Sequence, residues 1–132
     1  IVSDAGTPTL SDPGMILINK CIESHIKIIP VPGPSSITTS ISISGFEDKF
    51  LFYGFLPKTK NELSKVLKSL KNLNYSLVFF VSGIKINFYL DFFKEFFLDR
   101  DILIAREITN IHEPFYRNSV KSIQPFKVAL KG

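Results

Sequence analysis

Two short loops carry the residue types best suited to binding a small ligand. Residues 3–14 read SDAGTPTLSDPG and combine glycines and prolines with hydroxyls and two carboxylates. Backbone amides can approach a ligand closely only where side chains are small. Asp4 and Asp12 would repel a phosphate, so this loop favours a ligand with hydroxyls or an ammonium group. Residues 32–36, PGPSS, offer a second rigid turn with two serine hydroxyls.

The same residue types also build tight turns and helix caps, so spacing alone favours a purely structural role. The sequence has no GxxxxGK phosphate loop, no GxGxxG fingerprint, no HExxH and no GxSxG. His25 and His112 are far apart, and nothing near either completes a metal site. Any chemistry is therefore expected from the two loops, and no metal is predicted.

Composition indicates a globular chain of 132 residues, 45% hydrophobic and 21% charged, long enough for one domain or two small halves. No apolar run approaches the ~18 residues that span a bilayer, and the first residues lack the pattern of a signal peptide. Cys21 is the single cysteine, which predicts a reducing, cytoplasmic location. The net charge of +4 favours anionic partners such as RNA, although the amino-acid bias of an AT-rich genome is the favoured explanation of this charge.

The elements predicted around the loops alternate between strand and helix. Residues 1–2 and 27–31 are expected to be strand segments, each followed by one of the loops. Helices are expected over 15–25, capped by Asp12, and over 35–44. Ligands bind at the carboxyl ends of parallel strands, so both loops are expected to face one pocket.

The second part of the chain continues this alternation. Strands are predicted at 50–56, 76–81 and 101–107, with helices beginning near Thr59 and spanning 84–98. The first of these helices has an apolar stripe with lysines opposite, which favours a solvated face over a phosphate-binding patch. The aromatic stripe of the second helix favours core packing over base stacking.

Four motifs in order resemble one family. They are SDAGTPxxSDPG at 3–14, VPGPS at 31–35, YGFLPK at 53–58, and AREIT at 105–109 followed by His112 and Glu113. Together they resemble the RsmI-type 16S ribosomal RNA (cytidine 2′-O-ribose) methyltransferases of the tetrapyrrole (corrin/porphyrin) methylase superfamily. The motifs cover most of the chain, and their order makes the resemblance more specific than any one of them.

The resemblance implies an α/β fold of two domains with a cofactor cleft between them. Residues 1–47 would be the C-terminal part of the first domain, and 48–132 a second domain incomplete at its C-terminus. The family's first glycine-rich loop has no counterpart here, so a fragment of a longer protein is expected. The implied cofactor is S-adenosyl-L-methionine, the substrate is 16S rRNA in the small ribosomal subunit, and superfamily members are commonly homodimers.

The resemblance also implies site residues. The residues expected to contact the cofactor are Ala5, Gly6, Thr7, Leu10, Ser35, Ser36 and Val81. Methyl transfer to a weakly nucleophilic ribose hydroxyl benefits from a positioned base, for which Glu107 and Asp4 are candidates. Arg106 would hold the RNA, or form only an ion pair with Glu107.

Departures from the family pattern keep two alternatives open. Residues 79–85 read FFVSGIK where the family reads FYESPHR, and Asn110 replaces a usual lysine. One alternative is a tetrapyrrole C-methyltransferase, which the long form of the first loop disfavours. The other is a decayed, non-catalytic protein that binds RNA or a partner, which the lost charged residues favour.

Overall fold

The computed structural model describes residues 1–3, 6–110, 114–128 and 130, and it is a mixed α/β structure as predicted. The helices are α1 (Met15–Glu23), α2 (Ser36–Ser44), α3 (Lys60–Leu70) and α4 (Ile86–Phe96). The strands are β1 (Phe50–Phe55), β2 (Ser76–Phe80), β3 (Asp101–Ala105) and β4 (Phe115–Ser119). Among the described residues, no helix has the length and apolar character needed to cross a bilayer.

The best-defined part of the predicted alternation is β1–α3–β2. Strands β1 and β2 pair in parallel, from Phe50 opposite Ser76 to Phe55 opposite Phe80. Parallel neighbours cannot be joined by a tight turn, and α3 supplies the crossover. The register shifts between Phe52 and Gly54, where Gly54 has a φ of 91° that a residue with a Cβ rarely adopts.

Helix α3 follows the predicted apolar stripe. Leu63, Leu67 and Leu70 are buried because their three- and four-residue spacing places them on one face. Thr59 is the N-cap residue, but its Oγ1 donates to the carboxylate of Glu62 at 2.7 Å and caps no backbone amide. Thr59 and Glu62 therefore pair through their side chains alone.

Helix α4 turns its aromatic residues inward, as predicted. Phe93 and Phe97 are buried, and both rings stack on Phe79 of β2 with centroids 5.8 and 6.4 Å away. Such ring pairs add to the stabilisation from buried area. The buried core residues come from α3, α4 and the segments around them: Leu56, Leu63, Leu67, Leu70, Ile86, Tyr89, Leu90, Phe93, Phe97, Val120 and Ile123.

Strand β3 pairs antiparallel with β4, from Asp101 opposite Ser119 to Ala105 opposite Phe115. The sequence did not predict β4, because its residues FYRNS lack an alternating apolar pattern. In the structure this strand is mostly exposed. Arg117 of β4 also reaches the end of α2, where its guanidinium donates to the carbonyls of Ile43 and Ser44.

The first part of the chain departs most from prediction. Within the described residues before β1, neither 1–2 nor 27–31 forms a strand, so both strand predictions are wrong. A strand requires a hydrogen-bonded neighbour, and these segments have none among the described residues. Helix α1 begins after Gly14, whose φ is 130°, so Asp12 is not its N-cap, and α1 buries no residue.

Contacts divide the chain into two compact units, Ile1–Thr39 and Ser40–Gly132. The division falls within α2. The predicted boundary between 47 and 48 stays a prediction.

Candidate functional site

The first predicted cofactor loop has an unusual backbone. Gly6, Thr9 and Ser11 adopt left-handed conformations, with φ of 71°, 71° and 57°. A β-branched threonine rarely adopts this conformation, and such residues concentrate at functional sites. The loop also folds back on itself, since a Cβ at Gly14 would lie 3.0 Å from the Thr9 methyl group. Asp4 and Ala5 lie outside the described residues.

The side chains of this loop are open to a ligand. Thr7 is exposed, and Leu10 keeps 46% of its surface accessible. A Cβ built on Gly6 would meet no atom within 4 Å, so nothing described covers the backbone on that side. An accessible backbone at Gly6, the Thr7 hydroxyl and the exposed Leu10 side chain together suit a ligand with both polar and apolar parts.

The second loop leads directly into α2. Ser35 is half-buried, and its carbonyl accepts hydrogen bonds from Thr38 Oγ1 at 3.3 Å and the Thr39 amide at 3.0 Å. Ser36 is exposed at the first position of the helix. Gly33 also has open space around it, so the backbone here is accessible. The loop thus offers hydroxyls and amides at a helix N-terminus, where the helix dipole favours a negatively charged group such as a carboxylate.

A third loop follows β3 and contains the AREIT motif. Arg106 Nη2 donates to Glu107 Oε1 at 3.2 Å, and both side chains are about one third exposed or less. Glu107 and Thr109 have left-handed φ values of 46° and 75°. The amide of Asn110 closes the turn by donating to the Glu107 carbonyl at 2.9 Å.

The Arg106 guanidinium contains a buried donor that the ion pair with Glu107 does not use. Its Nε is buried and has no hydrogen-bond partner in the described part of the chain. Leaving a buried donor without a partner costs free energy. The loop therefore presents a carboxylate and an oriented guanidinium side by side.

Val81 lies directly after β2, half-buried against the core. The resemblance to the family predicted a glutamate at this position, and the sequence has valine. Two residues on, a Cβ at Gly83 would lie only 2.4 Å from the Leu130 carbonyl oxygen, so the backbone is closely covered there. Val81 thus lies beside a tightly packed loop and offers apolar surface.

Of the predicted site residues, the structure brings Arg106 and Glu107 into contact. Gly6, Thr7, Leu10, Ser35 and Ser36 belong to Ile1–Thr39, whereas Val81, Arg106 and Glu107 belong to Ser40–Gly132. His112 and Glu113 lie outside the described residues. Within the described ranges, no group of three or more histidine, cysteine, aspartate or glutamate side chains could hold a metal ion.

Sequence reasoning missed the left-handed residues Thr9 and Thr109. Both lie in motif-bearing loops, yet threonine gives no local signal for this conformation. It also missed the unpartnered Nε of Arg106, which depends on how the folded chain surrounds the side chain.

No model of a known protein family matches the chain. Curated proteins named "Ribosomal RNA small subunit methyltransferase I" do match it. The Thermotoga maritima protein is 46% identical over 121 residues, which cover 91% of this chain and 54% of that protein. The Mesomycoplasma conjunctivae protein is 34% identical over 133 residues, covering 100% of this chain and 56% of that protein. The Bacillus subtilis protein is 33% identical over 124 residues, covering 93% and 42%.

The chain spans about half the length of the curated relatives it matches. Over that half, these matches confirm the family resemblance that the four motifs indicated.

Proposed function

We propose that this chain, homologous to a segment of the ribosomal RNA small subunit methyltransferase I proteins, forms part of an S-adenosylmethionine-dependent enzyme that methylates rRNA of the small subunit. The observation that carries the proposal is 46% identity to the Thermotoga maritima protein over 91% of the chain. The finer reaction we propose is methylation of the ribose 2′-hydroxyl of a cytidine in 16S rRNA. Such a substrate places the reaction in the cytoplasm.

The proposed cofactor site joins the loops of two α/β domains across a cleft. S-adenosylmethionine supplies an electrophilic methyl group when bound. The accessible backbone at Gly6 and Gly33 and the hydroxyls of the first two loops suit its amino-acid and ribose parts, and Val81 suits its adenine ring. The proposed contacts are Ala5, Gly6, Thr7, Leu10, Ser35, Ser36 and Val81.

The protein's task is to align the hydroxyl oxygen with the methyl group and to remove the hydroxyl proton. We propose Glu107 as the base, with Asp4 as the alternative carboxylate. Arg106 lies 3.2 Å from the Glu107 carboxylate and orients it. We propose that the Arg106 guanidinium also holds the RNA substrate.

A segment exchange with a relative tests this function. In the Thermotoga maritima relative, the 121 matched residues are replaced by those of this chain. The exchanged protein is incubated with labelled S-adenosylmethionine and small subunits that lack the modification. We expect label in the RNA, at a ribose that then resists alkaline cleavage.

Glu107→Gln in the exchanged protein tests the base. We expect methyl transfer to fall by about 10²–10⁴-fold with cofactor affinity unchanged. Glu95→Gln, an exposed carboxylate on α4, is the matched control and should keep full activity. Near-normal methyl transfer by Glu107→Gln would refute Glu107 as the base. Asp4 would then be the candidate to test.

A further inference from the structure

The positive charge of the chain is concentrated in one segment. Five of the 16 basic residues and one of the 12 acidic residues lie between Lys58 and Lys71, which gives this segment a net charge of +4. The rest of the chain keeps 11 residues of each sign and is neutral overall. An anionic partner is therefore attracted to this segment rather than to the chain as a whole.

Helix α3 displays that charge on its solvent side. Lys65 and Lys68 are exposed, opposite the buried leucines of the same helix, and Lys71 is exposed directly after it. A helix rises about 1.5 Å per residue, so Lys65 to Lys71 form a row roughly 9 Å long. Within the described ranges, none of these lysines forms an ion pair. Glu62, the one acidic residue of the segment, accepts a hydrogen bond from Thr59 instead.

The lysine row ends at an open depression of about 530 Å³. This volume is in the range of small-molecule sites, ~300–1,000 Å³. The depression offers an aromatic ring, amides, an ammonium group and a carboxylate, from Glu47, Lys49, Asn72, Leu73, Asn74 and Tyr75. The Tyr75 side chain is 48% exposed, so a planar group can stack on its ring.

Hydrogen bonds hold the two backbone segments that line the depression. The Arg100 guanidinium donates to three backbone carbonyls, those of Lys71, Leu73 and Tyr75. On the other wall, Ser76 Oγ donates to the Glu47 carbonyl at 2.8 Å, and the Ser76 amide donates to the Lys49 carbonyl at 3.1 Å. A ligand would therefore meet a site that is already formed.

We propose that the lysine row and this depression form a docking surface for single-stranded RNA. The lysines contact consecutive phosphates, and one unstacked base lies on Tyr75, where the amide and carboxylate groups can bond its edge. The inference rests on the proposed function, whose substrate is RNA. The depression lies at the N-terminal ends of β1 and β2, whereas Val81 lies directly after the C-terminal end of β2. The length of β2, about 16 Å, separates the two. The surface is thus a contact separate from the proposed cofactor site.

Salt-dependent RNA binding tests the surface without any methyl transfer. Fluorescence anisotropy of a labelled single-stranded RNA of mixed sequence is measured with the 132-residue chain, without cofactor, over a range of salt concentrations. Lys65→Gln/Lys68→Gln should reduce the slope of log affinity against log salt by about 1.4, since each phosphate contact on a single strand contributes about 0.7. Lys121→Gln/Lys127→Gln, exposed lysines outside this segment, should leave the slope unchanged.

Tyr75→Ala should weaken binding about tenfold without changing the slope, because stacking releases no counterions, and Tyr75→Phe should retain the affinity. Equal slopes in the wild type and the Lys65/Lys68 variant, or no RNA binding by the wild type, would overturn the docking surface. Wild-type affinity in Tyr75→Ala would overturn the role of the depression. If RNA binds as expected but the exchanged enzyme transfers no methyl group, the proposed function fails and the surface stands.

Discussion

The Arg100 guanidinium donates hydrogen bonds to the segment that connects α3 and β2. Removing this guanidinium should lower the melting temperature of the protein markedly. The hydrogen bonds to the Tyr75 and Lys71 carbonyls are 2.9 and 3.3 Å long, and a third reaches the Leu73 carbonyl. The guanidinium also lies 5.3 Å from the ring centroid of Phe97.

The magnitude follows from these contacts. A hydrogen bond from a charged donor contributes about 1.5–3 kcal/mol, but the exposed carbonyls of Lys71 and Tyr75 can bond to water instead. We therefore expect Arg100→Met, which keeps an apolar stem, to cost about 2–4 kcal/mol. For a chain of this length that is a decrease in Tm of about 10 °C.

Thermal and urea unfolding followed by far-UV circular dichroism measures the change. Arg100→Lys keeps the charge but not the planar fork, so it should recover only a minor part of the loss. Lys121→Met removes an exposed cation with no described partner and should leave Tm nearly unchanged. A wild-type Tm for Arg100→Lys, or equal losses for Arg100→Met and Lys121→Met, would refute the reasoning.

Three further changes probe the second unit. Gly83→Ala brings a Cβ to 2.4 Å from the Leu130 carbonyl oxygen and should cost about 1–3 kcal/mol in urea unfolding, whereas Ser82→Ala should cost little. Asn87 exchanges hydrogen bonds of 2.9 and 2.8 Å with the Phe126 backbone, so Asn87→Ala should cost about 2 kcal/mol and speed amide exchange at Phe126; unchanged exchange would contradict this. Burial raises the pKa of Tyr89, so this tyrosine ionises in the unfolded chain first, above about pH 10, and the free energy of unfolding falls as the pH rises further. Tyr89→Phe should therefore lose less stability than the wild type between about pH 9 and 11. Equal losses would show that Tyr89 does not cause the fall in stability.

The sequence predicts helices and strands well where a clear periodicity of apolar residues is bounded by residues that end such elements. Helix α3 has an apolar stripe with leucines at helical spacing, and its predicted face is the buried one. Strands β1, β2 and β3 are compact β-rich runs, and each forms near its predicted position. In these elements local preference and burial favour the same structure.

The failures have physical causes. Residues 27–31 have strand-like composition, but a strand forms only with a neighbour, and the composition of a segment does not reveal its neighbour. Strand β4 is the converse case, because its polar residues give no signal and pairing with β3 holds it in place. The ion pair of Arg106 with Glu107 is one of the two roles that the sequence left open for Arg106, whereas the unpartnered Arg106 Nε depends on tertiary packing.

The most direct test of the central claim is methyl transfer by the Thermotoga maritima relative carrying this segment, with small ribosomal subunits in one reaction and a tetrapyrrole precursor in another. We predict label in the small-subunit RNA, at a rate within about tenfold of the unexchanged relative, and none in the tetrapyrrole. A folded exchanged protein that binds S-adenosylmethionine but labels neither substrate, or labels only the tetrapyrrole, would contradict the account.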